Sequence, residues 1–285
     1  MDIQENSAGI KETNKAYSSQ LHDMLLLRYE PIAVKMIADI SEVPDNAVHP
    51  KRDMGKHMSL CQAYALTRRN KKTIFMDIDS EWCWCPIICM GYVDSEPGSK
   101  TFDFMAKFIE GRHKDSVDSE DAVKNFFARF PRLPYGKYKG IVSAPLCDCD
   151  FEPDLVLIYA NPAQTRIIIG GIKQMTGQLV ETKFDVIDSC AYDTVMPLLN
   201  GEYRITFPDP GEYERALSDE DEVITSVPRG RMAELIAGLR SNNEHGIGYK
   251  LLSKEMMFSF PRPSFYNDMF KMWDLDTGDV WEPRK

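Results

Sequence analysis

Five short apolar runs constrain the fold more than any other feature of the sequence. They are Ile32-Ala33-Val34-Lys35-Met36, Thr73-Ile74-Phe75-Met76, Ile141-Val142-Ser143-Ala144, Leu155-Val156-Leu157-Ile158-Tyr159 and Glu222–Ser226. Their length and β-branched content predict strands. Stretches of helical character separate them, over about Glu12–Arg28, His57–Arg69, Phe102–Glu110, Ser119–Phe130, Ser189–Leu199 and Pro228–Arg240. In the first of these, Leu21, Met24, Leu25 and Leu26 fall mainly on one side. The second ends in Arg68, Arg69, Lys71 and Lys72, which suits the helix dipole. Asn161-Pro162 offers an N-cap followed by proline at the first helical position, predicting a helix to about Met175. Gln178–Phe184 and Tyr203–Phe207 read as two further strands. The alternation predicts an α/β (or α+β) fold, a central sheet covered by helices.

The expected organisation is a lead with the start of the first helix over residues 1–22, a single domain over 23–245, and a C-terminal arm over 246–285. The arm crowds Phe258, Phe260, Phe265, Tyr266, Phe270, Trp273 and Trp281 around Pro261 and Pro263. Such aromatic density suits a tail packed on its own domain, or an arm that makes a homo-oligomer or covers a pocket.

Composition narrows the partners. At 285 residues the chain can bury a core without disulfide staples. Asp and Glu outnumber Lys and Arg, 44 to 34, for a net charge of −10. That argues against nucleic acid and against an anionic membrane surface. No apolar run reaches membrane-spanning length, and Met1–Asn6 is too polar for a signal peptide. The expected compartment is the cytoplasm. Thiols stay reduced there, so seven cysteines are inert core residues, metal ligands or reactive groups.

The cysteines cluster. Cys83, Cys85 and Cys89 form C-x-C-x3-C, and Cys147 and Cys149 form a second C-x-C. Cys61 follows His57 by four residues, which would place both on one helix face. Pro86 predicts a helix start, with Cys85 near its N-terminus and Cys89 one turn on. Cys190 opens a further helix. Thiolates select iron–sulfur clusters, zinc or copper(I). No C-x2-C zinc knuckle occurs, and no common ferredoxin spacing. The metal-ligand candidates are therefore His57, Cys61, Cys83, Cys85, Cys89, Cys147, Cys149 and Cys190.

Other chemistry is sparser. Dinucleotide, P-loop, G-x-S-x-G and H-E-x-x-H motifs are absent from the sequence. The helix N-terminus at Asn161–Gln164, with Lys35, could bind an anionic ligand or cofactor. Gly170-Gly171 suggests close packing or close approach to a ligand. His22 reads as a solvated surface residue. Asp219-Glu220-Asp221-Glu222 reads as a solvated loop, or with Glu212 and Glu214 as a site for a hard cation.

Several segments together resemble one family. These are Pro31–Lys35, Cys61-Gln62-Ala63, Ala144-Pro145-Leu146 with Phe151–Val156, Asn161-Pro162-Ala163-Gln164, Ser189-Cys190-Ala191, and Asp221–Ile224 with Val227-Pro228. The chain resembles the domain of unknown function 169 family over about Asp23 to Leu239. The resemblance implies one family domain and no established activity. It also implies that Cys61, Cys190 and one of Cys83 or Cys85 stand where the family places cysteine. Cys89, Cys147 and Cys149 then look like additions, which favours a gained metal site.

The expected function is that of a thiolate-ligated metalloprotein, with an iron–sulfur cluster first and zinc as the alternative, in redox chemistry or electron transfer. It would act with a redox partner, as carrier or enzyme. A metal-free small-molecule or cofactor-binding protein using Lys35, Asn161 and Gln164 is the second expectation, and an assembly component acting through the arm is the third.

Overall fold

The computed structural model describes residues 3–112, 119–184, 188–250 and 264–275. They form two compact units, Met1–Tyr249 and Lys250–Lys285. The first unit is built on a six-stranded sheet. Its strands are β1 (Ile32–Ile37), β2 (Ile74–Asp77), β3 (Gly140–Pro145), β4 (Leu155–Ala160), β5 (Arg204–Thr206) and β6 (Val223–Pro228). The order is β2-β3-β1-β4-β6-β5, and every pairing is antiparallel.

Helices cover both faces, which explains why the strands read as unbroken apolar runs. Ten helices of this unit are described: α1 (Ile3–Leu25), α2 (Pro50–Met54), α3 (Leu60–Asn70), α4 (Trp84–Cys89), α5 (Lys100–Arg112), α6 (Glu120–Arg129), α7 (Pro162–Thr176), α8 (Met196–Asn200), α9 (Pro210–Tyr213) and α10 (Met232–Glu244). Side chains alternate along each strand. Ile32, Val34, Met36, Leu155, Leu157 and Tyr159 point to one face, where α3, α4, α5, α6 and the Cys190–Val195 turn pack. We call this the thiol face. Ala33, Val156, Ile158 and Ala160 point to the other, under α1, α7 and α10. We call this the helical face.

The helical face depends on a close crossing. A Cβ added at Gly238 would lie 2.0 Å from the backbone oxygen of Gly171, and one at Gly171 would meet Leu239 at 3.1 Å. Gly171 therefore serves helix–helix contact between α7 and α10. On α1, Asn14, Ser18, Leu21 and Leu25 are buried at three- and four-residue spacing. Two of the four are polar, so apolar periodicity shows only the C-terminal half of this face.

Several expectations are corrected. The first helix already runs from Ile3 and stops at Leu25; Leu26 has φ +54° and is exposed. α3 starts only at Leu60, because the side chains of Ser59 and Gln62 cap its N-terminus reciprocally. Among the described residues, Gln178–Phe184 forms no strand, and Leu179 is 81% exposed. Pro228 closes β6, and the helix after it begins at Met232. In the second unit, α11 (Phe265–Met272) stacks Phe265 on Tyr266, with centroids 4.6 Å apart. Phe258, Phe260 and Trp281 lie outside the described residues.

Candidate functional site: a buried thiol and carboxylate cluster

Five of the seven cysteines come together on the thiol face from three separated stretches. Cys61 is the second residue of α3, and its Sγ lies 2.9 Å from the Ser59 hydroxyl. Cys83 precedes α4, while Cys85 and Cys89 share one face of that helix. Cys190 leads into a single π-helical turn, Ala191–Val195. The Cys85 thiol makes hydrogen-bond contact with the thiols of both Cys89 and Cys190.

The π turn has a local cause. Pro197 has no N–H to return to the Asp193 carbonyl. That carbonyl instead accepts the Ser226 hydroxyl at 2.6 Å. The turn is thereby pinned to β6, which holds Cys190 and Asp193 against the sheet.

Carboxylates close in on the thiols. Glu212 accepts the hydroxyls of Ser189 at 2.9 Å and Tyr159 at 3.0 Å. Burial and the Asp209 charge push it up to about 7. Glu81 accepts the backbone N–H groups of Trp82 and Cys83, and burial pushes it to about 7 as well. Asp193 is fully buried, and burial raises its carboxyl well above the usual range. Thr194 donates to its Oδ1, while Oδ2 has no hydrogen-bond partner among the described residues. Burial also raises the thiols: Cys89 to about 11, Cys83 to about 12, and Cys61, Cys85 and Cys190 higher than their ordinary value. For Cys190 the hydrogen bond to Cys85 is the larger cause. All five are neutral thiols at pH 7. A cluster of titratable groups this perturbed marks a functional-site candidate.

Cationic groups border the cluster. Arg215 donates to Ser59 Oγ at 3.2 Å, sits 3.8 Å from Cys61 Sγ, and lies over the exposed Trp82 ring at 4.9 Å. Arg68 is buried against Glu222 in a two-pronged pair at 2.7 and 2.8 Å, and 4.0 Å from the Tyr159 ring centroid.

The remaining sequence candidates stand elsewhere. His57 is exposed and precedes α3, so it shares no helix face with Cys61. Cys149 packs in the helical-face core and donates to the Phe151 carbonyl; Cys147 is bound through its backbone to Glu30. The two C-x-C motifs therefore do not meet in one site. Lys35 pairs with Glu42 at 2.9 Å. Asn161 and Gln164 cap α7, and Gln164 Nε2 also donates to the carbonyls of Leu25 and Leu26. Val34 pairs with Leu155, so Lys35 lies level with the start of β4 and Asn161 follows its end, roughly 20 Å away along a strand. They do not share a pocket. Nor is the acidic stretch a free cation site: Glu222 is buried on Arg68, and Asp219 pairs with Arg28 and Arg69. His22 is half-buried beside Glu30, and its pKa is raised by that contact.

In the sequence Asp193, Asp209 and Ser189 do not stand out as site residues, and Glu212 does so only as a candidate ligand for a hard cation. One signal was present for part of them: Asp209-Pro210-x-Glu212 is a helix-start pattern, and Asp209 does accept from the Glu212 N–H.

The donor set is soft and thiol-rich. Yet among the described residues no group of three or more His, Cys, Asp or Glu side chains is arranged to hold a metal ion. The contacts run as a chain, from Cys89 to Cys85 to Cys190, rather than around one centre.

Fold and cluster together define an antiparallel, helix-covered α+β protein with a buried thiol–carboxylate centre. Residues 20–238 match the DUF169 family, described as an uncharacterised ArCR, and the chain belongs to that family. It is also similar to an uncharacterized protein, MJ0308, of Methanocaldococcus jannaschii. The two are 22% identical over 241 residues, covering 84% of this chain and 95% of the relative. No solved structure gives a significant match. No helix of the described residues is long and apolar enough to cross a membrane.

Proposed function

We propose that the protein works through the thiols gathered on the thiol face, as the binding site of a soft metal centre used in redox chemistry. Cys85, Cys89 and Cys190 form its nucleus, with Cys61 and Cys83 beside them. The observation that carries this reading is the convergence itself: three distant stretches of chain deliver five thiols to one buried place. The surroundings add to it. Asp188, Asp193 and Glu212 lie close enough to oppose thiolate formation. A thiolate there needs a cation, so the cluster suits metal ligation better than free nucleophilic catalysis. Because the thiols are not grouped around one point, the reading requires them to regroup on binding. It also requires proton release, so metal affinity rises with pH.

The test is metal and sulfide content, with visible absorbance, of full-length protein purified and reconstituted without oxygen using ferrous iron and sulfide, or zinc alone. The expected result is stoichiometric retention of one of these metals. Iron with sulfide supports a redox cluster, whereas zinc alone keeps the metal site but overturns its redox use, because zinc is redox-inert. A protein that retains neither overturns the proposal.

The direct contact between Cys85 and Cys190 favours a second reading, a dithiol. Exchange with a small disulfide would convert the two thiols to one intramolecular disulfide and release two small thiols. Peptide mapping after such treatment should then find Cys85 joined to Cys190.

A further inference from the structure

The helical face holds a cavity of about 660 Å³ that belongs to none of the chemistry above. It opens between the N-terminal half of α1 and the ends of β4, β6 and α10. Its walls are mainly apolar, with Ile10, Val156, Val227, Pro228 and Met232 contributing. The volume falls within the range of about 300–1,000 Å³ typical of small-molecule sites.

Two polar groups in the wall are set for a ligand. Asn14 is 4% exposed, and its Nδ2 donates to the carbonyls of Cys149 and Phe151 at 3.1 and 3.0 Å. Those two bonds fix the amide, and Oδ1 accepts no hydrogen bond among the described residues. The Tyr17 hydroxyl, also at the cavity, makes none among them either. The charged groups at the rim satisfy each other: Arg229 pairs with Glu152 at 2.5 Å and with Asp154 at 3.3 Å. The cavity thus offers an oriented acceptor in an apolar wall and no uncompensated charge to attract an ion. A ligand donor placed against that acceptor gains a hydrogen bond in apolar surroundings, which a purely apolar ligand forgoes.

We propose that this cavity binds an uncharged, largely apolar small molecule carrying one hydrogen-bond donor. The site is independent of the thiol cluster, which lies on the other side of the sheet.

β-Naphthol, its methyl ether and naphthalenesulfonate probe the three elements of the proposal. They are titrated into the full chain by fluorescence, with thermal melts alongside. β-Naphthol is expected to bind saturably and raise the melting temperature. The ether, which has no donor, should bind about tenfold more weakly, and the sulfonate more weakly than β-naphthol. Ala233→Trp and Ile10→Trp, each at a lining position that is not fully buried, should fill the cavity and abolish binding in protein that still melts cooperatively. Having two such variants protects the test against one that fails to fold. Absence of saturable β-naphthol binding overturns the proposal. So does undiminished binding in both filled variants, or equal affinity for the ether.

Discussion

The two faces of one sheet are built by opposite means. On the helical face, α7 and α10 approach through glycines, and the interior is mainly Ile, Leu and Val. On the thiol face, the same strands carry a core interrupted by thiols, carboxyls and a buried guanidinium. The helical face gains stability from tight packing. The thiol face spends some of it on polar groups that only a network of partners can satisfy. Those expensive groups are the ones expected to carry the protein's chemistry.

The largest effect should come from the thiol face. Arg68→Ala leaves Glu222 buried without its partner, since both side chains are almost fully buried. A loss of about 3–5 kcal/mol is expected in denaturant unfolding. A loss near zero would mean that the polar network is not structural. Next comes Gly238→Ala on the helical face, where the added methyl meets the Gly171 carbonyl. Overpacking of this kind costs roughly 1–3 kcal/mol, and the thiols should keep their titration behaviour.

A third comparison uses pH. Glu212 sits at about 7 when folded, against an ordinary 4.5. Between those values the folded chain holds a proton that the unfolded chain has released, so its contribution to stability falls as pH rises from about 4.5 to about 7. Glu212→Gln should flatten that fall by roughly 3 kcal/mol, and Glu81, shifted the same way, accounts for part of the remainder. An unchanged pH profile would remove Glu212 from the set of buried titrating groups. The smallest effect belongs to Asn161→Ala, which loses an N-cap worth about 1 kcal/mol and should leave metal content untouched.

The sheet was largely legible in the sequence because strands covered on both faces read as plain apolar runs. Gln178–Phe184 carries apolar residues only at Leu179, Val180 and Phe184; among the described residues no strand pairs with it, and a local reading cannot report the absence of a partner. Asn161 was readable as a cap because capping is local. The cluster was only half legible. Cys85 and Cys89 follow from helical spacing, but no spacing rule brings Cys61 and Cys190 to them, since the sheet order does that. The same order places Cys147 and Cys149 away from the cluster despite their matching C-x-C motif. His57 failed for a local reason: Ser59 and Gln62 make a better helix start three residues later.

The most direct measurement compares the two cysteine groups in one assay. Metal bound per chain after anaerobic reconstitution is determined for Cys85→Ser with Cys190→Ser, and separately for Cys147→Ser with Cys149→Ser. The first pair is expected to lose metal by about tenfold, and the second pair to retain it. Equal retention by both double variants, or loss confined to the Cys147 and Cys149 pair, would contradict this account.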